Sequence, residues 1–115
     1  MSKIQVIRGA ICAENTAESI SQNALALVGE ILERNCLLPE QVLAVFFSAT
    51  PDLDACYPAT KVRETLLPKA AFMCFAEMHV VGSLPHCIRV AVFAETERVE
   101  YCYLGEAAQL RPDLK

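Results

Sequence analysis

Arg8, Arg63, Arg89 and Arg111 are the residues of this chain whose type and setting best suit chemistry. Arg8 interrupts the apolar run IQVIRGAI, and Arg89 interrupts CIRVAVF. Arg63 follows the loop sequence SATPDLDACYPATKV, and Arg111 opens the closing segment RPDLK. A guanidinium keeps its charge at any workable pH, and burying one is costly unless an anion or several acceptors meet it. Several such cations converging on one pocket would suit a small substrate with more than one carboxylate. Glu77, Cys74 and Tyr103 also stand out on apolar elements. Each of these residues has a plainer reading. Arg8 and Arg89 are equally compatible with the solvent side of a half-exposed sheet. Glu77 would then simply match one of them. Tyr103 and Tyr57 suit packing with a polar tip, and Cys74 suits the role of a small buried hydrophobe. Residue types and spacing reach a small-anion site and stop there.

Other chemistries find little support. No nucleophile elbow, phosphate loop, dinucleotide fingerprint or metal motif is present, so a covalent hydrolase fits poorly. The six cysteines (Cys12, Cys36, Cys56, Cys74, Cys87 and Cys102) include no CxxC pair and read as reduced thiols. His79 and His86 do not fall at ligand spacing with any cysteine pair, so no metal is expected. His86 reads as a residue leading into a strand. The net charge is −4 and no basic run is present, which disfavours a nucleic-acid partner. The longest strongly apolar run, near VLAVFFSA, is far too short to span a bilayer. The segment MSKIQVIRGA does not read as a secretory signal, and a cytoplasmic location is expected. With 115 residues, 54% of them hydrophobic and 21% charged, one domain (1–115) with a real core is expected.

The elements that must position the arginines follow from periodicity. Residues 3–12, rich in Ile and Val, predict a strand. Asn15 followed by Glu18 predicts a capping box. Apolar residues at Ile20, Ala24, Leu27, Val28, Ile31 and Leu32 then predict a helix to about Arg34. Pro39 marks a restart, and residues 42–48 form a continuous apolar run of strand length. A loop punctuated by Pro51 and Pro58 precedes a short helix through Lys61, Val62, Arg63 and Leu66. Strands are expected over 71–78, 87–94 and 99–104, and one or two helical turns over 105–110. The fold class is α/β (α+β): a mixed five-stranded sheet packed by one long helix and short helices.

That architecture carries a physical difficulty. In CIRVAVF, Cys87, Arg89, Ala91 and Phe93 share one face, and Ile88, Val90 and Val92 share the other. Both faces are largely apolar, so both need cover. One long helix covers about one face. A second copy of the chain is the plain cover for the other, so a homo-oligomer is expected, with pockets at its seams.

The string SATPDLDACYPATKVRE, then CFAEM, CIRV and YLGEAAQLRPDL, strongly resembles the trimeric, barrel-like class of chorismate mutase, and the opening IRGA fits as well. Five segments agree in the expected order over nearly the whole chain. The resemblance implies a pseudo-barrel homotrimer with clefts between adjacent subunits. It implies conversion of chorismate to prephenate, on the route to phenylalanine and tyrosine, with no cofactor. This pericyclic rearrangement breaks one C–O bond as one C–C bond forms. Catalysis must then come from holding a flexible dianion in its reactive shape and from stabilising the charge of the transition state.

Matching positions carry the roles. Arg89 would point at the ether oxygen as its bond breaks, and Arg8 would hold a substrate carboxylate. Tyr103 would donate a hydrogen bond nearby, and Glu77 and Cys74 would meet the ring hydroxyl. Tyr57 and Ala59 would wall the pocket from the facing subunit, with Arg63 adding positive charge and Met73 beside the cysteine. Leu110 and Arg111 would close over the cleft as a lid. In an ideal strand, Cys74 and Glu77 face opposite ways, so they can share a site only if the chain bulges or turns there. The chain departs from the family pattern in places. Tyr57 stands where Phe is frequent, Thr60 replaces a common lysine with Lys61 one position on, and Met73 replaces a small polar residue. Any tail longer than LRPDLK is absent from the sequence. Two other readings are a non-catalytic trimer binding a small carboxylate, and a deaminase of similar trimeric architecture.

Overall fold

The computed structural model describes residues 3–114. Strand β1 (Ile4–Cys12) leads into helix α1 (Ala17–Arg34). A single 3-10 turn (Pro39–Gln41) opens strand β2 (Val42–Ala49). Helix α2 (Ala59–Thr65) and strand β3 (Ala71–Ala76) follow, then strand β4 (Cys87–Glu95) and the short strand β5 (Cys102–Tyr103). A 3-10 segment (Gly105–Leu110) precedes the tail. The five strands form one sheet in the order β3-β2-β4-β1-β5. β4 runs antiparallel to both β1 and β2, while β2/β3 and β1/β5 are parallel pairs. The mixed sheet and long helix match the sequence expectation, although β3 stops at Ala76 and β5 is only two residues long.

α1 forms because its apolar positions recur at helical spacing, and Ile20, Ala24, Leu27, Val28 and Ile31 are its buried stripe. They pack with Ile7, Val45, Phe47, Ile88, Val90 and Val92 from one sheet face. Burial of each large aliphatic side chain stabilises the fold by about 1.5–3 kcal/mol. The helix start lies one residue later than the sequence suggests. Thr16 is the N-cap, and its hydroxyl accepts the Ser19 N–H at 3.0 Å. Asn15 is occupied elsewhere. Its Oδ1 accepts the N–H groups of Asp54 and Ala55 at 2.9 and 3.0 Å, and its Nδ2 donates to Asp54 Oδ1 at 2.8 Å. A long-range loop anchor thus outcompetes the local cap.

Among the described residues, no α-helix covers the other sheet face. Val6, Arg8, Phe46, Ser48, Met73, Phe75, Arg89, Ala91 and Phe93 fall on it by strand alternation and register. Met73 and Phe75, on the edge strand, are 54% and 48% exposed. Phe46 makes ring contacts with Phe75 and Phe93, with centroids at 5.7 and 5.1 Å. At one end of this face the 3-10 segment brings Ala107 and Leu110 against Ala10, Cys87 and Tyr103.

Gly9, between Arg8 and Ala10, lets the two layers approach. A Cβ there would lie 2.6 Å from the Cys102 carbonyl oxygen, and 3.1 and 3.2 Å from side-chain carbons of Ile31 and Leu27. Backbone and helix would both have to shift. Gly9→Ala should therefore destabilise the protein by about 1–3 kcal/mol. A lower urea midpoint with an unchanged slope would register it, and a wild-type midpoint would show that the close approach is not tight.

Candidate active site

The two central arginines stand on neighbouring strands of the uncovered face. Arg89 pairs with Ala10 across the β1–β4 ladder, and Arg8 pairs with Ala91. They border a shared hollow of about 300 Å³ with Val6, Phe46, Ser48 and Phe75. Two permanent cations beside each other on an apolar surface repel, and a dianion in the hollow would relieve that.

Glu77 follows β3 directly. Its N–H donates to the Ala49 carbonyl at 3.0 Å, which extends the β2–β3 pairing by one step. Strand alternation therefore continues through Glu77 and sends its side chain to the open face. Oε1 accepts a hydrogen bond from the Ser48 hydroxyl. Oε2 lies 3.5 Å from Arg89 Nε. The Arg89 and Glu77 side chains are only 30% and 23% exposed. Arg89 Nε is sealed from solvent and has no hydrogen-bond acceptor among the described residues. Cys87 lies two residues from Arg89. Burial, with Cys12 opposite it, pushes the Cys87 thiol up to about 11, so it adds no negative charge beside the guanidinium at neutral pH.

Tyr103 joins this group through register, since Ala10 pairs with Arg89 on one side and Tyr103 on the other. The tail folds onto it. Arg111 lies over the rings of Tyr101 and Tyr103, at 5.6 and 6.0 Å from their centroids. Asp113 holds Arg111 in a two-pronged pair, with Nη2–Oδ2 at 2.9 Å and Nε–Oδ1 at 3.1 Å. That pairing raises the Arg111 pKa and lowers that of the Asp113 carboxyl. Lys115, the last residue of the expected lid, lies outside the described residues.

The remaining expected site residues lie elsewhere. Cys74 is on the helix side of β3, packed against the main core. Burial raises its thiol, against a hydrogen bond from the Ala59 backbone that lowers it. Cys74 and Tyr57 border another hollow, about 590 Å³, beside the loop over residues 50–58, and Ser48 and Phe75 also line it. Tyr57 is 71% exposed, Ala59 is buried, and Arg63 sits on the exposed side of α2. Ala59, Arg63 and Met73 border neither hollow. No bulge brings Cys74 round to Glu77, so within one chain these two residues stay on opposite sides of the sheet. Among the described residues, no group of three or more His, Cys, Asp or Glu side chains is placed to hold a metal ion. All six cysteines are free thiols.

The chain matches the family model for chorismate mutase type I over residues 4–114. The chain belongs to the chorismate mutase type I family. It is 40% identical to chorismate mutase AroH of Bacillus subtilis, an alignment covering 96% of this chain and 92% of that one. Its identity to chorismate mutase AroH of Thermus thermophilus is 38%, covering 97% of each chain. A solved structure of chorismate mutase from Clostridium thermocellum superposes with a TM-score of 0.88 at 34% identity, covering 91% of this chain and 98% of that one. Family membership leaves the deaminase reading without support. No helix among the described residues is long and apolar enough to cross a membrane.

Sequence reasoning missed several polar residues that brace the elements around these arginines. Thr50 Oγ1 accepts the Cys87 N–H at 2.9 Å and donates to Asp52. Asp52 also accepts the His86 N–H, at 3.0 Å to Oδ2. His86 adopts a left-handed backbone (φ 52°) there, immediately before Cys87 opens β4 and leads to Arg89. Asn35 is buried at the end of α1. It donates to the carbonyls of Ile31 and Glu100, and accepts the Glu100 N–H. Only the polar type of Ser48, Thr50 and Asp52 after an apolar run hinted at such roles.

Partial burial raises the Asp52 pKa, but the Thr50 hydroxyl, the His86 N–H and the His86 ring outweigh it. The net effect holds the carboxyl below its ordinary 3.8. A depressed carboxyl favours the folded state above its ordinary pKa, and that contribution fades as pH falls through the lower folded value. Wild-type stability should therefore drop more steeply below about pH 4 than that of Asp52→Asn. Parallel thermal-melt profiles from pH 6 to pH 2 for the two proteins would contradict this.

Proposed function

We propose that the chain is a chorismate mutase that rearranges chorismate to prephenate in a cleft between two copies of itself. The observation that carries this reading is the placement of Arg8 and Arg89 side by side on an uncovered apolar face, in a chain of the chorismate mutase type I family. A flexible dianion needs two fixed cations set apart by the protein, and these are available. Arg89 faces the ether oxygen, which gains electron density as its C–O bond breaks. That charge is larger in the transition state than in the substrate, so a donor aimed at it lowers the barrier. Arg8 holds a carboxylate, and Tyr103 donates a further hydrogen bond. Glu77 receives the ring hydroxyl. Leu110 and Arg111 close the cleft, with Arg111 exchanging its Asp113 partner for a substrate carboxylate. The six thiols suit a reducing, cytoplasmic setting.

Two copies complete the site. Arg8, Glu77, Arg89 and Tyr103 fall on the open face by register, whereas Cys74 is on the helix side and the exposed Tyr57 borders the hollow beside it. Within one chain Cys74 does not share the face that carries Glu77 and Arg89. A neighbour docking its β3 edge and Tyr57 loop against the open face would bring these groups together and would cover Met73 and Phe75. Closed threefold symmetry repeats that heterologous contact without a free end.

Two measurements test these readings. In an assay of chorismate loss, Arg89→Ala should cost about 3–4 kcal/mol of transition-state stabilisation. Arg89→Lys should rescue it poorly, because an ammonium lacks the planar fork. Wild-type turnover by a folded Arg89→Ala protein would reject the catalytic reading. The shared site calls for mixing two inactive variants, one in each half. Arg89→Ala unfolded and refolded with equal Cys74→Trp should regain activity at roughly a quarter of the seams, those with both intact halves. No recovery in demonstrably mixed assemblies would place all the essential groups on one subunit.

A further inference from the structure

We infer that Ser48 is a positioning residue that keeps Glu77 from neutralising Arg89, so that the arginine's terminal donors stay available to the substrate. This inference rests on the proposed role of Arg89 and adds a residue to it.

Three features carry it. Ser48 and Arg89 are direct partners across the β2–β4 ladder, so their side chains share the open face. The Ser48 hydroxyl donates to Glu77 Oε1, while the other carboxylate oxygen stops 3.5 Å from Arg89 Nε. Arg89 Nε is sealed from solvent and lacks a hydrogen-bond acceptor even though a carboxylate stands beside it.

An unrestrained Glu77 would not stay there. A carboxylate and a guanidinium in a half-buried setting favour the two-pronged arrangement, in which two parallel N–H groups meet two oxygens. Arg111 and Asp113 show that arrangement in this chain. Glu77 would reach it by turning both oxygens toward Arg89. That would occupy donors the ether oxygen needs and cancel much of the positive potential in the hollow. Ser48 prevents the turn by holding one oxygen. The carboxylate then stays close enough to balance the guanidinium and too far, and too constrained, to saturate it. Ser48 is not needed for the strand itself, whose backbone pairs with both neighbours. Phe46, two residues earlier on the same face, is apolar, so the hydroxyl is a local exception to the surface around it.

The test compares Ser48→Ala, Ser48→Cys and Ser48→Thr with wild type, alone and with Glu77→Gln, using Arg89→Ala as reference. Ser48→Cys keeps the side-chain size with a poor donor, which guards against a packing defect in the alanine variant. Thermal midpoints establish folding. Ser48→Ala and Ser48→Cys should lower kcat by roughly tenfold with KM changed less than about twofold, because the lost orientation matters most in the transition state. Ser48→Thr, which restores a hydroxyl, should recover most of the rate. Adding Ser48→Ala to Glu77→Gln should cost little more, since the hydroxyl acts through the carboxylate. Wild-type kcat in folded Ser48→Ala and Ser48→Cys would overturn the inference. So would a threonine variant as slow as alanine, or a full loss repeated in the Glu77→Gln background. An inactive Arg89→Ala beside a fully active Ser48→Ala would sink this inference alone. A fully active Arg89→Ala would sink the site reading beneath it.

Discussion

A charge that cannot be switched off has to be held, and the structure around Arg89 follows from that need. Among the described residues its Nε is shut away from water with no acceptor, and the Glu77 carboxylate stands 3.5 Å away. A guanidinium left half-matched in a low-polarity setting is costly. The chain tolerates the cost because Glu77 offsets part of the charge and Ser48 holds Glu77. In the proposed site, the unmatched remainder would be what a substrate anion uses. A fully satisfied arginine would be more comfortable and would have less to offer.

The same logic extends to the strands that carry these residues. β4 lies between β1 and β2, so Arg89 is fixed by ladder hydrogen bonds on both sides. The start of β4 is tied to the end of β2 through Thr50, whose backbone and hydroxyl both engage Cys87. Asp52 then secures Thr50 to His86. The guanidinium therefore projects from a rigid platform rather than a loop, which suits catalysis by orientation. The loop beyond Thr50 is held differently, by Asn15 at the head of α1. One side chain thus links the helix that covers the core to the loop that borders the hollow beside Cys74 and Tyr57.

The sheet is asymmetric in the way that matters for assembly. One face is sealed by α1, with Ile7, Val45, Phe47, Ile88 and Val92 almost wholly buried. The other displays aromatic and aliphatic side chains around two cations. An apolar face left open costs solubility, and natural chains usually cover such faces with a partner. Here the cover and the second half of the proposed cleft would be the same object. Oligomerisation and site completion then become one requirement, and neither needs extra chain length.

Much of this was legible before any coordinates. The 3.6-residue stripe of α1 depends only on near neighbours, and so does the two-residue alternation that puts Arg89 on one face with Cys87, Ala91 and Phe93. Both were read correctly, and five ordered segments sufficed to name the family. Local rules failed where a distant partner competed. Asn15 had the type of an N-cap but was claimed by Asp54 and Ala55, so Thr16 caps instead. Strand alternation warned that Cys74 and Glu77 face apart, but only the fold showed that no bulge reunites them. The polar type of Ser48 and Thr50 hinted at a role but not at a partner, because Glu77 and Cys87 lie 29 and 37 positions away. The sequence by itself determined which faces are apolar and which residues bear charge, since those depend on type and period. Tertiary structure alone decided which charge stands beside which acceptor, because that depends on strand order and register, which no local pattern encodes.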